Sequence, residues 1–215
     1  MRILFVGAPG SGKGTQAVRL ASELGVPHVS TGDILREAIR QGTPVGRQVK
    51  VFMDQGLLVP DEVMVAVLEE RFARSDTAKG YILDGFPRTA SQAASLEKML
   101  ARAGQALDAV ILLEIADAGV VDRIAGRRTC ETCQASYHVR FPRPAREGVC
   151  DRDGGRLVQR EDDTEAKVRR RLEKYHSETA AVVPFYEGMG LVRRVDASQS
   201  PEQVYAAVLA ALGRA

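Results

Sequence analysis

Residues 7–15 read Gly-Ala-Pro-Gly-Ser-Gly-Lys-Gly-Thr, and this stretch decides the fold. An apolar run, Ile3 to Val6, leads into Gly7 and reads as a short buried strand. Beyond the loop, Ala17, Leu20, Ala21 and Leu24 recur at helical spacing. Glycines between a strand and a helix let the backbone turn its amides inward, as a nest for anionic oxygens. The helix start adds unpaired N–H groups and the positive end of its dipole, and Lys13 adds a point charge. Gly10, Ser11, Gly12, Lys13, Gly14 and Thr15 are therefore expected to wrap the phosphate chain of a nucleotide. The usual motif has Ser or Thr directly after the lysine. Here Gly14 intervenes before Thr15, which weakens the case for Thr15 as a Mg2+ ligand.

Outward from the loop, Tyr81 to Leu83, Ala109 to Leu113 and Leu191 to Val195 are further apolar runs. Helical patterns, including Ser91 to Arg102 and Val120 to Arg127, separate them. Strands alternating with helices predict an α/β fold whose parallel sheet is covered on both faces. Two stretches break the alternation. Thr31 to about Arg74 carries short helices punctuated by Gly42-Thr43-Pro44 and by Gly56 to Pro60. From Thr129 to about Gln159 the helical period vanishes in a segment rich in Cys, Pro, Gly and Arg. After it, Asp162-Asp163-Thr164 reads as the cap of a long helix running through Tyr175, with acids at its positive end.

Composition narrows the class without choosing a function. The 215 residues are 45% hydrophobic and 27% charged, ordinary for one globular domain with insertions. A net charge of +2 gives no reason to expect nucleic acid or an anionic membrane as partner. No apolar run approaches the ~18 residues of a membrane span, and the N-terminal run meets glycine too soon for a signal peptide. A cytoplasmic location is the expectation. Of the 30 basic residues, 24 are Arg, whose planar fork suits phosphate. The three His, at 28, 138 and 176, share no spacing with one another or with a nucleophile, so His-based catalysis has no support.

Phosphate binding alone also fits a regulatory switch or a motor. The segment Asp84-Gly85-Phe86-Pro87-Arg88 discriminates. Asp84 ends a strand, where ligands of open parallel sheets gather, and its carboxylate can hold Mg2+ directly or through water. Arg88 can reach a second phosphate in the same crevice, with Pro87 fixing its direction. Separately, Cys130-x-x-Cys133, sixteen residues, then Cys150-x-x-Asp153 has the spacing of a zinc ribbon with aspartate in the fourth place. The spacing leaves Asp151 and His138 as competitors for that place. Four protein ligands leave no open coordination position, so such a metal is structural.

Together, the Gly-Lys-Gly-Thr loop, Ser30-Thr31-Gly32-Asp33 with Arg36, and Asp84 to Arg88 resemble the nucleoside monophosphate kinases. The likeness is nearest to the long, zinc-lidded bacterial adenylate kinase family. It extends through Val121-Asp122-Arg123, Gly126-Arg127-Arg128 and Arg160-Glu161-Asp162-Asp163 to Arg169-Arg170-Arg171. The resemblance implies a P-loop three-layer fold with a five-stranded parallel sheet. Its core would comprise residues 1–29, 60–125 and 164–215, with an NMP-binding helical insertion at 30–59 and a metal-stapled β lid at 126–163. It implies transfer of the terminal phosphoryl group of ATP to AMP, giving two ADP, with Mg2+, in a monomer.

By the same resemblance Lys13 contacts the ATP phosphates, and Arg127, Ser136, Tyr137 and Gln199 sit on the ATP side. Arg36 and Arg88 hold the AMP phosphate, while Arg123, Arg127, Arg160 and Arg171 close around the transferred group. Thr31, the backbone at Leu57, Leu58 and Val59, the Gly85-Phe86-Pro87 turn and Gln92 match positions that hold the rest of AMP. It also favours Asp153 over its competitors as the fourth ligand beside Cys130, Cys133 and Cys150, with Zn2+ as the metal. Arg123 and Arg127, four apart, are expected on one helical face. Arg140, Arg143 and Arg146, with prolines between them, are expected to form a solvated edge. A zinc-ribbon nucleic-acid binder is the non-enzymatic alternative, but no aromatic stacking set accompanies the ribbon.

Overall fold

The computed structural model describes residues 1–140 and 143–214; Phe141 and Pro142, the latter among the prolines just mentioned, lie outside the described residues. Strand β1 (Arg2–Gly7) enters the glycine loop and α1 (Lys13–Leu24) leaves it. Then follow β2 (His28–Ser30), α2 (Thr31–Arg40), α3 (Pro44–Asp54), α4 (Asp61–Phe72), β3 (Tyr81–Asp84) and α5 (Ala90–Arg102). Next come β4 (Ala109–Glu114), α6 (Asp117–Ala125) and three short strands, β5 (Arg127–Cys130), β6 (Ser136–His138) and β7 (Leu157–Val158). The chain closes with α7 (Glu165–Ser177), α8 (Val182–Glu187), β8 (Val192–Asp196) and α9 (Pro201–Ala211).

Five strands form the parallel sheet in the order β2-β3-β1-β4-β8, as the resemblance implied. Their alternation explains the layers. Ile3 and Phe5 pack with Leu20, Ile111 and Val208 on one face, while Leu4 and Val6 pack with Leu83, Leu96 and Tyr186 on the other. Successive strand residues point to opposite faces, so a sheet covered on both sides needs a continuous apolar run, as at Ile3–Val6 of β1, Tyr81–Leu83 of β3 and Ala109–Leu113 of β4. The register puts Ser30 of β2 and Phe5 of β1 beside Asp84 of β3. The carboxyl ends of the three strands thereby meet at one crevice. A β-carbon on Gly7 would stand 2.5 Å from the Leu113 carbonyl oxygen, so only glycine lets the loop turn there beside β4.

Three local readings need correction. The fifth strand is β2, which three residues between Pro27 and the α2 cap left without a detectable pattern. The helix read from Val120 to Arg127 ends at Ala125, and Arg127 begins β5 instead. Gly126 explains the stop: a β-carbon there would lie 2.2 Å from Nε2 of His138, and its carbonyl accepts from the Val139 N–H at 2.9 Å. The antiparallel partner of β5 occupies the space a continuing helix would need. Arg123 and Arg127 therefore do not share a helical face. Finally, Asp162 and Asp163 do not cap α7; they lie in a separate 3-10 turn, Glu161–Asp163, and their carboxylates face arginines.

The small antiparallel sheet β6-β5-β7, with Cys130 on β5 and Cys133 and Cys150 in its connecting turns, lies between α6 and α7 in the chain. Ala8 of the glycine loop packs with Val120, Ile124, Val168 and Leu172 of these two helices. No helix of the described residues is long and apolar enough to cross a membrane.

Candidate active site

Lys13 opens α1 and turns its side chain back along the loop. Its Nζ donates to the carbonyl oxygens of Gly7 at 2.8 Å and Ala8 at 2.9 Å. Burial lowers its pKa to about 8, against the pull of Asp84 and with help from Arg88. Asp84 lies across the crevice, with Oδ2 at 3.6 Å from where a β-carbon on Gly14 would stand. Gly14 and the carboxylate thus face each other at ordinary contact distance across the loop. Burial works against ionisation of Asp84, yet His28, with Nε2 at 3.8 Å, and Lys13 hold its pKa below the usual carboxylate value. The arrangement of loop amides, Lys13 and an ionised carboxylate fits a Mg2+–polyphosphate group, with Asp84 as the donor to the ion or its water. Thr15 is exposed on the first turn of α1 and Ser11 is buried with its hydroxyl unpartnered.

Arginines from five segments converge beside this loop. Arg36 (α2) pairs with Asp33 at 2.5 Å and lies 3.9 Å from Asp162. Arg160 reaches Asp33 at 3.6 Å, and Arg171 (α7) reaches Asp162 at 3.1 Å and Asp163 at 3.6 Å. Arg127 (β5) binds both oxygens of Asp163, which is wholly buried, at 2.8 and 2.5 Å. Arg88, after the Phe86–Pro87 cis peptide, donates through Nε to the Gly85 carbonyl at 2.8 Å. Burial and then Arg171 push its pKa down to about 10; burial and then Arg36 bring Arg160 to about 10.

Six cationic side chains (Lys13, Arg36, Arg88, Arg127, Arg160, Arg171) thus stand against four carboxylates (Asp33, Asp84, Asp162, Asp163). Two positive charges are left over, and the buried Nε groups of Arg36 and Arg160 have no hydrogen-bond acceptor. Half-buried positive charge in such excess calls for an anionic ligand. Of these carboxylates only Asp84 is assigned from the sequence; Asp162 and Asp163 read there as a helix cap, and Asp33 carries no role. Their spacing to the arginines, 36 residues for Arg127 and Asp163, left no local signal.

Ten of the predicted acceptor-side residues line one cavity: Thr31, Arg36, Leu57, Leu58, Val59, Gly85, Phe86, Arg88, Gln92 and Arg171. Pro87 adjoins it through the cis bond, whereas Arg160 does not line it and instead pairs with Asp33 at 3.6 Å. On the other side, Arg123 donates to the carbonyl oxygens of Ala197 at 2.9 Å and Ser198 at 3.4 Å, just before the exposed Gln199. Ser136 is exposed on β6. The Tyr137 hydroxyl is engaged with the thiol cluster, 3.5 Å from Cys150 Sγ, and accepts from the Asp151 N–H at 2.9 Å. The segment carrying β5–β7 also touches the α2 region, where Arg40 donates to the Glu131 carbonyl at 3.5 Å.

Cys130, Cys133, Cys150 and Asp153 each offer one ligand atom within 4.8 Å of the others. The Cys133 and Cys150 sulfurs are 3.6 Å apart, and the Asp153 oxygens lie 3.3 and 3.6 Å from Cys130 Sγ. A tetrahedral ion with Zn–S bonds of ~2.3 Å and a Zn–O bond of ~2.0 Å requires spacings of about 3.8 and 3.5 Å. The donor set fits zinc. All three thiols are free of disulfide bonds. Backbone N–H groups of Thr132 and Arg152 approach Cys130 and Cys150 Sγ at 3.4 Å, where they would stabilise negative charge on the sulfurs. Asp151 instead accepts from the Ala145 N–H, and His138 lies against the Asp122 carbonyl, so neither enters the cluster.

Comparison with known proteins agrees with this geometry. The family model described as adenylate kinase matches residues 5–191. A protein named adenylate kinase from Symbiobacterium thermophilum is 52% identical over 206 residues, covering 96% of this chain and 95% of its own. Those of Moorella thermoacetica and Caldicellulosiruptor saccharolyticus are 48% and 46% identical, each over at least 99% of both chains. The chain belongs to the adenylate kinase family.

Proposed function

We propose that the protein transfers the terminal phosphoryl group of ATP to AMP, reversibly, giving two ADP. The observation that carries this reading is the crevice in which two phosphate-holding sets, the loop with Lys13 and the Arg36–Arg88 pair, share an excess of positive charge. A site for one nucleotide would need only the first set.

The chemistry asks little of any proton donor. The attacking group is an oxygen of the AMP phosphate, already anionic, and the bond broken joins the γ-phosphorus to the oxygen bridging it to the β-phosphate. Rate then comes from in-line placement and from neutralising the charge on the transferred group. The loop amides and Lys13 hold the donor, and Arg36 and Arg88 fix the acceptor phosphate. Arg123, Arg127, Arg160 and Arg171 surround the moving phosphoryl. Asp33, Asp162 and Asp163 hold Arg36, Arg127, Arg160 and Arg171 in place beforehand, and two carbonyls hold Arg123. Asp84 would hold Mg2+, directly or through its water shell, and the ion when bound would supply Lewis-acid charge to the polyphosphate.

Residues 30–59 act as the acceptor insertion and 126–163 as a lid on the core. Contacts of Arg160 with Asp33 and of Arg40 with Glu131, which link the two segments, support this reading. Closure excludes water, which would otherwise compete with AMP for the phosphoryl group. Zinc staples the lid. Removing it with a chelator should lower the Tm by about 5 °C or more, since each kcal/mol of lost binding is worth about 2–4 °C at this size. Differential scanning fluorimetry checks this, and an unchanged melt contradicts the assignment. Steady-state assays with ATP and a panel of monophosphates test the reaction itself. Turnover greatest with AMP supports it, whereas turnover greatest with UMP or CMP moves the acceptor to the pyrimidines.

A further inference from the structure

Gln92, on the first turn of α5, is buried at the back of the acceptor cavity, and both ends of its amide are already occupied. Oε1 accepts from the backbone N–H of Arg88 at 2.7 Å, and Nε2 donates to Oδ1 of Asp61 at 2.7 Å. These partners allow only one orientation. The Arg88 amide can only donate, so it must face the oxygen, while the Asp61 side chain offers only oxygens, one of them taken by the Ser91 hydroxyl, so the other faces the nitrogen. Asp61 is itself fixed. It is the first residue of α4, where the helix dipole favours a carboxylate, and its second oxygen accepts from Ser91 Oγ at 2.6 Å.

We propose that Asp61 is a positioning residue that sets which way round the Gln92 amide stands, and through it which acceptor base the cavity takes. The inference rests on the acceptor role assigned to Gln92 above. Two bonds leave the amide one free lone pair on Oε1 and one free hydrogen on Nε2, side by side in fixed order. That pair complements a base edge offering an exocyclic amine beside an unprotonated ring nitrogen, as a 6-aminopurine does. A 6-oxopurine offers an acceptor at position 6 and a donor at N1, so the fixed amide opposes it with like groups. Without Asp61 the flip of the Gln92 amide costs only its bond to Arg88, and the order of donor and acceptor is no longer enforced. Asp61 touches no substrate; it acts through Gln92.

The test compares AMP with IMP, which differ at this edge alone, as acceptors for the wild type, Asp61→Ala and Asp61→Asn. Wild-type enzyme should favour AMP by a large factor in kcat/KM. Asp61→Ala should cut the AMP-to-IMP ratio about tenfold or more, the worth of one to two hydrogen bonds, mainly through a higher KM for AMP. The KM for ATP and kcat at saturating AMP should stay within about twofold. Asp61→Asn should restore most of the ratio, because its Oδ1 still accepts from Gln92 while its amide nitrogen donates to the Ser91 hydroxyl. A ratio unchanged in Asp61→Ala overturns the proposal, as does an equal loss for both acceptors or an asparagine variant as poor as alanine. Wild-type enzyme that phosphorylates neither acceptor refutes the proposed reaction itself, and this assignment with it.

Discussion

Replacing Lys13 with Met should lower kcat by about 10³-fold or more while leaving the Tm no lower than that of the unaltered protein. The first half follows from position. Lys13 is the loop's only full charge, in a water-poor crevice where a charge on a phosphoryl group counts for far more than in solvent. The second half follows from the sign of its pKa shift. Burial lowers the folded-state value to about 8, from about 10.4 in the unfolded chain. A base whose folded pKa is depressed costs stability below the folded value, and the cost fades as pH rises from about 8 to about 10.4. Methionine removes that cost and gives up two bonds, to the carbonyls of Gly7 and Ala8, the second of which also accepts from the Ser11 N–H at 3.1 Å.

The same shift gives the expected pH profile. In the free enzyme kcat/KM for ATP should decline above about pH 8 as Lys13 loses its proton, whereas bound ATP restores the proton and kcat holds to higher pH. A Lys13→Met enzyme with near-normal turnover, or one whose losses track a fallen Tm, would contradict the role given to the loop.

Arg88→Ala should reduce kcat/KM for AMP by about 10³-fold, with the KM for ATP changed only a few-fold. A bidentate guanidinium–phosphate pair in a desolvated site is among the stronger polar contacts, and such arginines reach this size in phosphoryl transfer. Arg88 is also pre-aimed: Nε is spent on the Gly85 carbonyl at 2.8 Å, leaving the terminal nitrogens for the ligand. Lysine should not rescue the loss, because a point charge on a flexible stem can neither keep the Gly85 bond nor fork onto two oxygens. Steady-state kinetics with each substrate varied in turn separates the outcomes. Equal losses for ATP and AMP would mean that Arg88 supports the whole crevice and not the acceptor side.

Much of the fold was legible because its signals are local. The glycine loop, the Asp84–Arg88 turn and the paired Cys-x-x-Cys and Cys-x-x-Asp steps each depend on residues a few positions apart. The covered sheet announced itself through continuous apolar runs in β1, β3 and β4. What stayed hidden depends on distant partners. Asp163 serves Arg127 across 36 residues and Asp61 serves Gln92 across 31, so each aspartate on its own looks like a helix-start acid. His28 beside Asp84 could not be found from histidine spacing, because adjacent strands β2 and β3 bring the two together. The end of α6 turned on Gly126, whose missing β-carbon matters only once β6 folds back against it.

The shared crevice is tested most directly by following the phosphorus. The enzyme is mixed with Mg2+, AMP and ATP labelled at the γ-phosphorus, and the products are resolved at short times. All the label leaving ATP should appear as the β-phosphate of ADP, with AMP consumed mole for mole and no labelled inorganic phosphate. Label released to water at a rate indifferent to AMP would mean that the loop from Gly7 to Thr15 serves a single nucleotide, and that the arginines beside it hold no acceptor.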